Sequence, residues 1–128
     1  MKKVKIKGTG IYTPKKVVSN TDLEKIVETS DEWIFERTGI RNRRICSTEG
    51  GEWPSDMAYH ATLDALKAAN LEPNDIDFIV FASVTPDFKL PNTACILQQK
   101  LGITNKSEFH YLQEIQFLQS LIEKAFYN

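Results

Sequence analysis

The hydrophobic and polar positions along this chain alternate between two periods. Val4-Lys5-Ile6-Lys7 alternates apolar and polar residues, and the run continues through Gly8-Thr9-Gly10-Ile11-Tyr12 to Thr13-Pro14. This pattern predicts a strand interrupted by glycine. Asn20-Thr21-Asp22-Leu23-Glu24 spaces Thr21 and Glu24 as a capping box, predicting a short helix through about residue 28. Thr29-Ser30-Asp31-Glu32 repeats that signature and opens a second short helix carrying Trp33, Ile34 and Arg37, stopped by Gly39. Residues 41–46 read as a strand or extended arm, and residues 47–51 as a loop.

Pro54-Ser55-Asp56 starts a longer helix in which Met57, Ala58, Ala61, Ala65 and Ala69 recur at helical spacing. After a turn at residues 70–75, Phe78-Ile79-Val80-Phe81-Ala82 is an unbroken apolar run, predicting a strand buried on both faces. Helix followed by buried strand implies a parallel sheet in an α/β fold. A proline-rich loop at residues 85–91 leads to a helix capped by Asn92, running to Leu101 and closed by Gly102. The last stretch places Leu112, Ile115, Leu118, Ile122 and Ala125 on one helical face, after a short strand at residues 108–111.

Composition narrows the class. The chain has 128 residues, 41% hydrophobic and 26% charged, which suits one globular domain and excludes a disordered or collagen-like chain. The apolar runs fall far short of a membrane span, and no apolar stretch follows the basic start, so neither a membrane nor a secretory signal is expected. Cys46 and Cys95 form no CxxC and have no ligand cluster nearby. No metal site or disulfide framework is expected, and the cytoplasm is the expected compartment. Net charge is −1, but it divides into +4 over residues 1–50 and −5 beyond. The basic half ends in Arg37, Arg41, Arg43 and Arg44, a cluster that suits either an anionic ligand or a solvated face.

The most suggestive pair is Trp33 and Arg37, which share a helix face at i, i+4. An indole and a guanidinium there can grip a flat, phosphate-bearing ligand such as coenzyme A; the same spacing equally suits a core Trp33 covered by Arg37. Cys95, one turn into a helix, is either a dipole-activated thiol or a small buried hydrophobe. His60 and His110 have no evident catalytic partners, and Asp75 and Asp77 suit turn chemistry better than calcium. The residues alone outline no catalytic constellation.

The strings Gly8-Thr9-Gly10-Ile11-Tyr12-Thr13-Pro14, Thr29-Ser30-Asp31-Glu32-Trp33-Ile34, Arg37-Thr38-Gly39-Ile40-Arg41-Asn42-Arg43, Ser55-Asp56-Met57-Ala58 and Thr85-Pro86-Asp87 with Pro91-Asn92-Thr93-Ala94-Cys95 are taken together. In that order they resemble the β-ketoacyl-acyl-carrier-protein synthase III family over about residues 4–105. The resemblance implies the N-terminal part of the first α/β half of a thiolase-like fold, a mixed sheet with packed helices. It divides the chain into residues 1–105 and a divergent, helical tail at 106–128. It implies the initiating step of type II bacterial fatty acid synthesis, a decarboxylative condensation of an acyl-CoA primer with malonyl-acyl carrier protein. Acyl-CoA is then a substrate and no cofactor is implied. Partners would be acyl carrier protein and a second subunit, as a homodimer or by docking on an intact one, with no nucleic acid or membrane.

By the same resemblance, Thr29, Trp33 and Arg37 bind the CoA adenine, and Leu90 lines the acyl pocket at the dimer loop. The family's nucleophilic Cys should fall at or beside Ile115, and no Cys follows Cys95. The catalytic His and Asn belong to a second half with no counterpart here. The expectation is a truncated, catalytically inactive chain, altered near residue 106, consistent with a local frame shift. A non-catalytic CoA-binding or synthase-docking module, and the product of a disrupted gene, are the alternatives.

Overall fold

The computed structural model describes residues 5–105 and the backbone of 108–112. The chain divides into two compact units, Thr13–Glu52 and the segments on either side of it.

In the first unit, β1 (Lys16–Ser19) pairs antiparallel with β2 (Asn42–Ile45), Lys16 opposite Ile45 and Ser19 opposite Asn42. Two helices lie between them in sequence, α1 (Asn20–Leu23) and α2 (Asp31–Thr38). The cap of α1 is Ser19, two residues earlier than Thr21: its hydroxyl accepts from the Asp22 amide, and Asp22 accepts in return from the Ser19 amide. The helix ends at Leu23, short of the expected residue 28. For α2 the cap is Ser30, accepting from the Trp33 amide at 3.1 Å, and Gly39 ends it at φ 70°.

No apolar side chain of Thr13–Glu52 is fully buried. The buried residue is Asn20, 1% exposed. Its Nδ2 donates to Asp31 Oδ1 at 2.7 Å and to the Ile40 carbonyl at 2.8 Å, and its Oδ1 accepts from Arg43 at 2.7 Å. About 40 residues seldom bury enough apolar surface to form a core, and a hydrogen-bonded polar hub takes its place, in which Arg43 Nη1 is buried without a partner among the described residues.

The second unit contains α3 (Pro54–Ala69), β3 (Phe78–Ala82), α4 (Thr93–Leu101) and β4 (Glu108–Leu112). As expected, Pro54 opens α3, Asn92 caps α4 by accepting from the Cys95 amide at 2.9 Å, and Gly102 closes it in the left-handed region. β3 and β4 are parallel, Phe78 beside Glu108 and Ala82 beside Leu112, so Leu112 belongs to a strand. Residues 113–128, including the helical face expected there and the position beside Ile115, lie outside the described residues. The core is Ile79, Ala94, Leu97, Leu101 and Ile103, with Ala58, Tyr59, Ile76 and Phe81 against it.

Two further expectations are corrected. Residues 5–12 form no strand, because no described segment pairs with them. Gly8 and Gly10 instead press the backbone onto α3: a Cβ on Gly8 would lie 2.5 Å from the Ala65 carbonyl oxygen, and one on Gly10 2.0 Å from that of Ala61. The strand of this region is β1, which the hydrophobic pattern did not reveal. β3 is also not buried on both faces. Ile79 is 8% exposed, whereas Phe78 and Val80 are 43% and 40% exposed, because among the described residues the helices pack on the Ile79 face.

Candidate functional site

The first turn of α2 fixes the geometry of the Thr29–Trp33–Arg37 group. Ser30 uses its hydroxyl as the helix cap, so Thr29 lies just outside the helix and Trp33 one turn along it. The Arg37 guanidinium sits over the Trp33 ring, 4.7 Å from its centroid. Trp33 is 55% exposed, which sets aside its reading as a core residue. Glu28, Thr29, Ser30 and Trp33 line a cavity of about 280 Å³. Thr29 Oγ1 is buried and has no hydrogen-bond partner. A buried hydroxyl left unpaired is costly, on the order of 1–3 kcal/mol, and a ligand in this cavity offers it a partner.

The structure divides the four arginines. Arg41 donates to Asp31 at 2.6 Å and lies 3.9 Å from the Phe35 ring centroid. Arg43 holds Asn20, and Arg44 donates to the Pro14 carbonyl at 2.9 Å. These three are engaged in the framework of their unit. Among the described residues Arg37 forms no ion pair, and its guanidinium rests on the indole. A base gripped between indole and guanidinium needs two van der Waals gaps, roughly 7 Å in all. At 4.7 Å the pair is closed on itself. A ligand therefore either displaces Arg37 outward or takes the other face of the indole.

The remaining candidates lie in the second unit. Leu90 is 86% exposed and precedes a cis peptide bond to Pro91. The loop carrying it is anchored at Asp87, which accepts from the Ser55 amide at 3.0 Å and from the Ser55 hydroxyl. Lys100 donates to the same hydroxyl at 2.8 Å and pairs with Asp56. This Ser–Lys pair is not a nucleophile and base. Ser55 is fully buried, and Lys100 is ion-paired with Asp56. Cys95 is partly buried in the first turn of α4. His60 is exposed and stacks on Tyr12 at 5.0 Å between centroids. Among the described residues no three His, Cys, Asp or Glu side chains gather as a metal site, and no helix is long and apolar enough to cross a membrane.

Glu28 is the lining residue that sequence reasoning missed. Its position next to Thr29 was visible, but nothing in the pattern tied a turn carboxylate to the indole of the following helix.

The fold is a partial α/β layer, a small open sheet with helices against it. No family model matches the chain. Individual proteins do. The β-ketoacyl-[acyl-carrier-protein] synthase III of Thiobacillus denitrificans is 50% identical over 111 residues, covering 87% of this chain and 34% of its own length. The enzyme of that name from Oceanobacillus iheyensis is 56% identical over 100 residues, 78% of this chain and 31% of its own. Among solved structures, 3-oxoacyl-[acyl-carrier-protein] synthase III from Aquifex aeolicus superposes with a TM-score of 0.82 at 40% identity, covering 94% of this chain and 41% of that one. The priming β-ketosynthase of the R1128 polyketide pathway gives 0.78 at 31% identity, over 84% and 31%. The chain belongs to the β-ketoacyl-[acyl-carrier-protein] synthase III family. It spans about a third of the length of the curated relatives it matches.

Proposed function

We propose that this chain is a non-catalytic CoA-nucleotide-binding form of a synthase III, with Thr29, Trp33 and Arg37 as its binding residues. In the family the primer is an acyl-CoA, which acylates a cysteine before condensing with malonyl-acyl carrier protein and releasing carbon dioxide. The observation that carries the binding reading is the unpaired buried hydroxyl of Thr29 in a cavity walled by the indole on which Arg37 rests. A flat base stacks on the indole, a hydroxyl partner satisfies Thr29, and Arg37 supplies charge toward phosphate.

The non-catalytic part rests on the sequence. Acyl transfer needs a thiolate at the family's nucleophile position, and the two cysteines are Cys46 and Cys95. Cys95 matches a family position that is not the nucleophile. The decarboxylation step also needs donors for the developing oxyanion, and His110 matches neither the family His nor the Asn. A second reading, docking on an intact synthase subunit, is favoured by the half-exposed Phe78 and Val80 on the open face of β3.

Incubation with CoA should raise the melting temperature of the chain, and Trp33→Ala should abolish that rise while leaving the apo melting temperature nearly unchanged. No rise with CoA would sink the binding reading. Labelled acetyl-CoA should leave no stable label on either cysteine; a labelled Cys95 would overturn the non-catalytic reading.

A further inference from the structure

The hydrogen bonds around Ser55 run in one direction. Lys100 Nζ donates to the Ser55 hydroxyl at 2.8 Å and also to Asp56 Oδ1. The hydroxyl donates to Asp87 Oδ2, and the Ser55 amide donates to Asp87 Oδ1 at 3.0 Å. A hydroxyl has one proton, and an ammonium donates without accepting. Lys100 therefore turns the Ser55 proton away from itself and toward Asp87. Each oxygen of Asp87 faces a donor, an arrangement that suits a carboxylate accepting on both. Ser55 is fully buried, so bulk water does not relieve a donor set against a donor there. The loop at residues 85–91 has two more ties: the Asp87 amide donates to the Thr93 hydroxyl at 3.3 Å, and Phe88 stacks on Trp53 with centroids 5.9 Å apart. Phe88 and Leu90 are 56% and 86% exposed, so burial of these side chains adds little to the hold.

We infer that residues 85–91 form a strap that acid releases, with Lys100, Ser55 and Asp87 as its pH-sensitive catch. A proton taken from solvent onto Asp87 Oδ2 meets the Ser55 proton, which cannot turn back because Lys100 donates from that side. A proton on Oδ1 meets the Ser55 amide. Either way the catch loses a bond, and the strap lifts from the first turn of α3. The charged groups that α3 and α4 bring to the catch are Asp56 and Lys100; Lys89, on the strap itself, is exposed. Protonation of Asp56 ends its pairing with Lys100 but leaves Lys100 a donor, so the direction of the bonds is unchanged. The hold is present at neutral pH and lost as pH falls, and with it the fixed presentation of Phe88 and Leu90.

The test uses the full chain carrying Trp33→Phe, which leaves Trp53 as its tryptophan. Acrylamide quenching of Trp53 and the far-ultraviolet helix signal are followed from about pH 7 to about pH 3, across the carboxylate range. Quenching should rise about twofold before the helix signal falls, as an indole 37% exposed opens toward full exposure. Asp87→Asn replaces one acceptor with a donor and should show the raised quenching already at neutral pH. Adding Lys100→Gln should reverse the catch. The amide at position 87 then donates to Ser55, whose hydroxyl turns to donate to the amide oxygen at position 100. Quenching in that double variant should return to the parent's neutral value and stay there in acid, a rescue that loss of packing at either site does not produce. Low quenching in Asp87→Asn, or a double variant as open as the single one, overturns the catch. So does a parent chain whose quenching rises only together with loss of helix, and that titration decides the matter alone should Asp87→Asn not fold.

Discussion

The buried hydroxyl of Ser55 donates to the carboxylate of Asp87, which also accepts from the Ser55 amide at 3.0 Å. One carboxylate thereby caps the first turn of α3 and ties down the loop after β3. Thr93, also buried, holds the same loop by accepting from the Asp87 amide at 3.3 Å. Replacing Asp87 by Ala leaves buried donors without a partner, and charge-assisted bonds of this kind contribute about 1.5–3 kcal/mol each. Asp87→Ala should lower unfolding stability by roughly 2–4 kcal/mol in urea titration. Lys100→Met should cost far less, about 1 kcal/mol or below, because its pairing with Asp56 is partly solvated. Equal losses in the two variants would contradict this ranking.

Gly10 should tolerate no side chain. A Cβ would sit 2.0 Å from the Ala61 carbonyl oxygen and 2.4 Å from the Ala65 amide nitrogen, both backbone atoms of α3. Gly39 also resists substitution, but for a different reason: its φ is 70°, in open space. Gly39→Ala should cost about 1–2 kcal/mol, the penalty for placing a Cβ in the left-handed region. Gly10→Ala should cost more, about 3 kcal/mol or above, since the segment must lift off the helix. Thermal melts of the two variants decide the order.

Asn20 takes the place of an apolar core in the Thr13–Glu52 unit. Asn20→Leu has similar volume but strands the Arg43 guanidinium, the Ile40 carbonyl and one oxygen of Asp31. A loss of roughly 2–4 kcal/mol is expected from abandoned polar partners. Hydrogen exchange should show the loss concentrated in β1, β2 and α2. A variant as stable as the wild type would show that the hub is dispensable.

Asp22 gives an acid-dependent signature. Hydrogen bonds from Ser19, then the Lys25 ammonium, hold its carboxyl well below the usual carboxylate range. Because the folded state favours the ionised form, its contribution is fully present above the ordinary carboxylate value near ~4. It declines as pH falls below that value toward the folded one. The melting temperatures of wild type and Asp22→Asn should therefore differ most at neutral pH and converge as the solution is acidified below about pH 4. A gap that widens with acid would contradict the assignment.

Helix ends were the most legible part of the chain. Ser and Asn before apolar-periodic runs, and Gly after them, give α2 and α4 nearly residue by residue, because capping is a local bond between a side chain and the next turn; α3 is marked instead by Pro54 at its start and Asn70 at its end. The shift of the α1 cap from Thr21 to Ser19 shows the limit: several adjacent residues carried a capping oxygen, and the chain direction entering from β1 chose among them. The Trp33–Arg37 pairing was readable for the same local reason, being set by helical spacing.

By itself the sequence determined which stretches are helical, where they stop, the parallel strand Phe78–Ala82 and the family to which the chain belongs. Only the tertiary structure decided that Gly8 and Gly10 serve close approach to a helix rather than a strand, and that Phe78 and Val80 of β3 are half-exposed among the described residues. It also laid Arg37 over an indole while Arg41, Arg43 and Arg44 bond to Asp31, Asn20 and the Pro14 carbonyl, and placed Glu28 at the cavity of Trp33. The division follows from range. Caps and helical faces depend on residues three or four apart, whereas pairing, coverage and the sharing of charges depend on which distant segments meet.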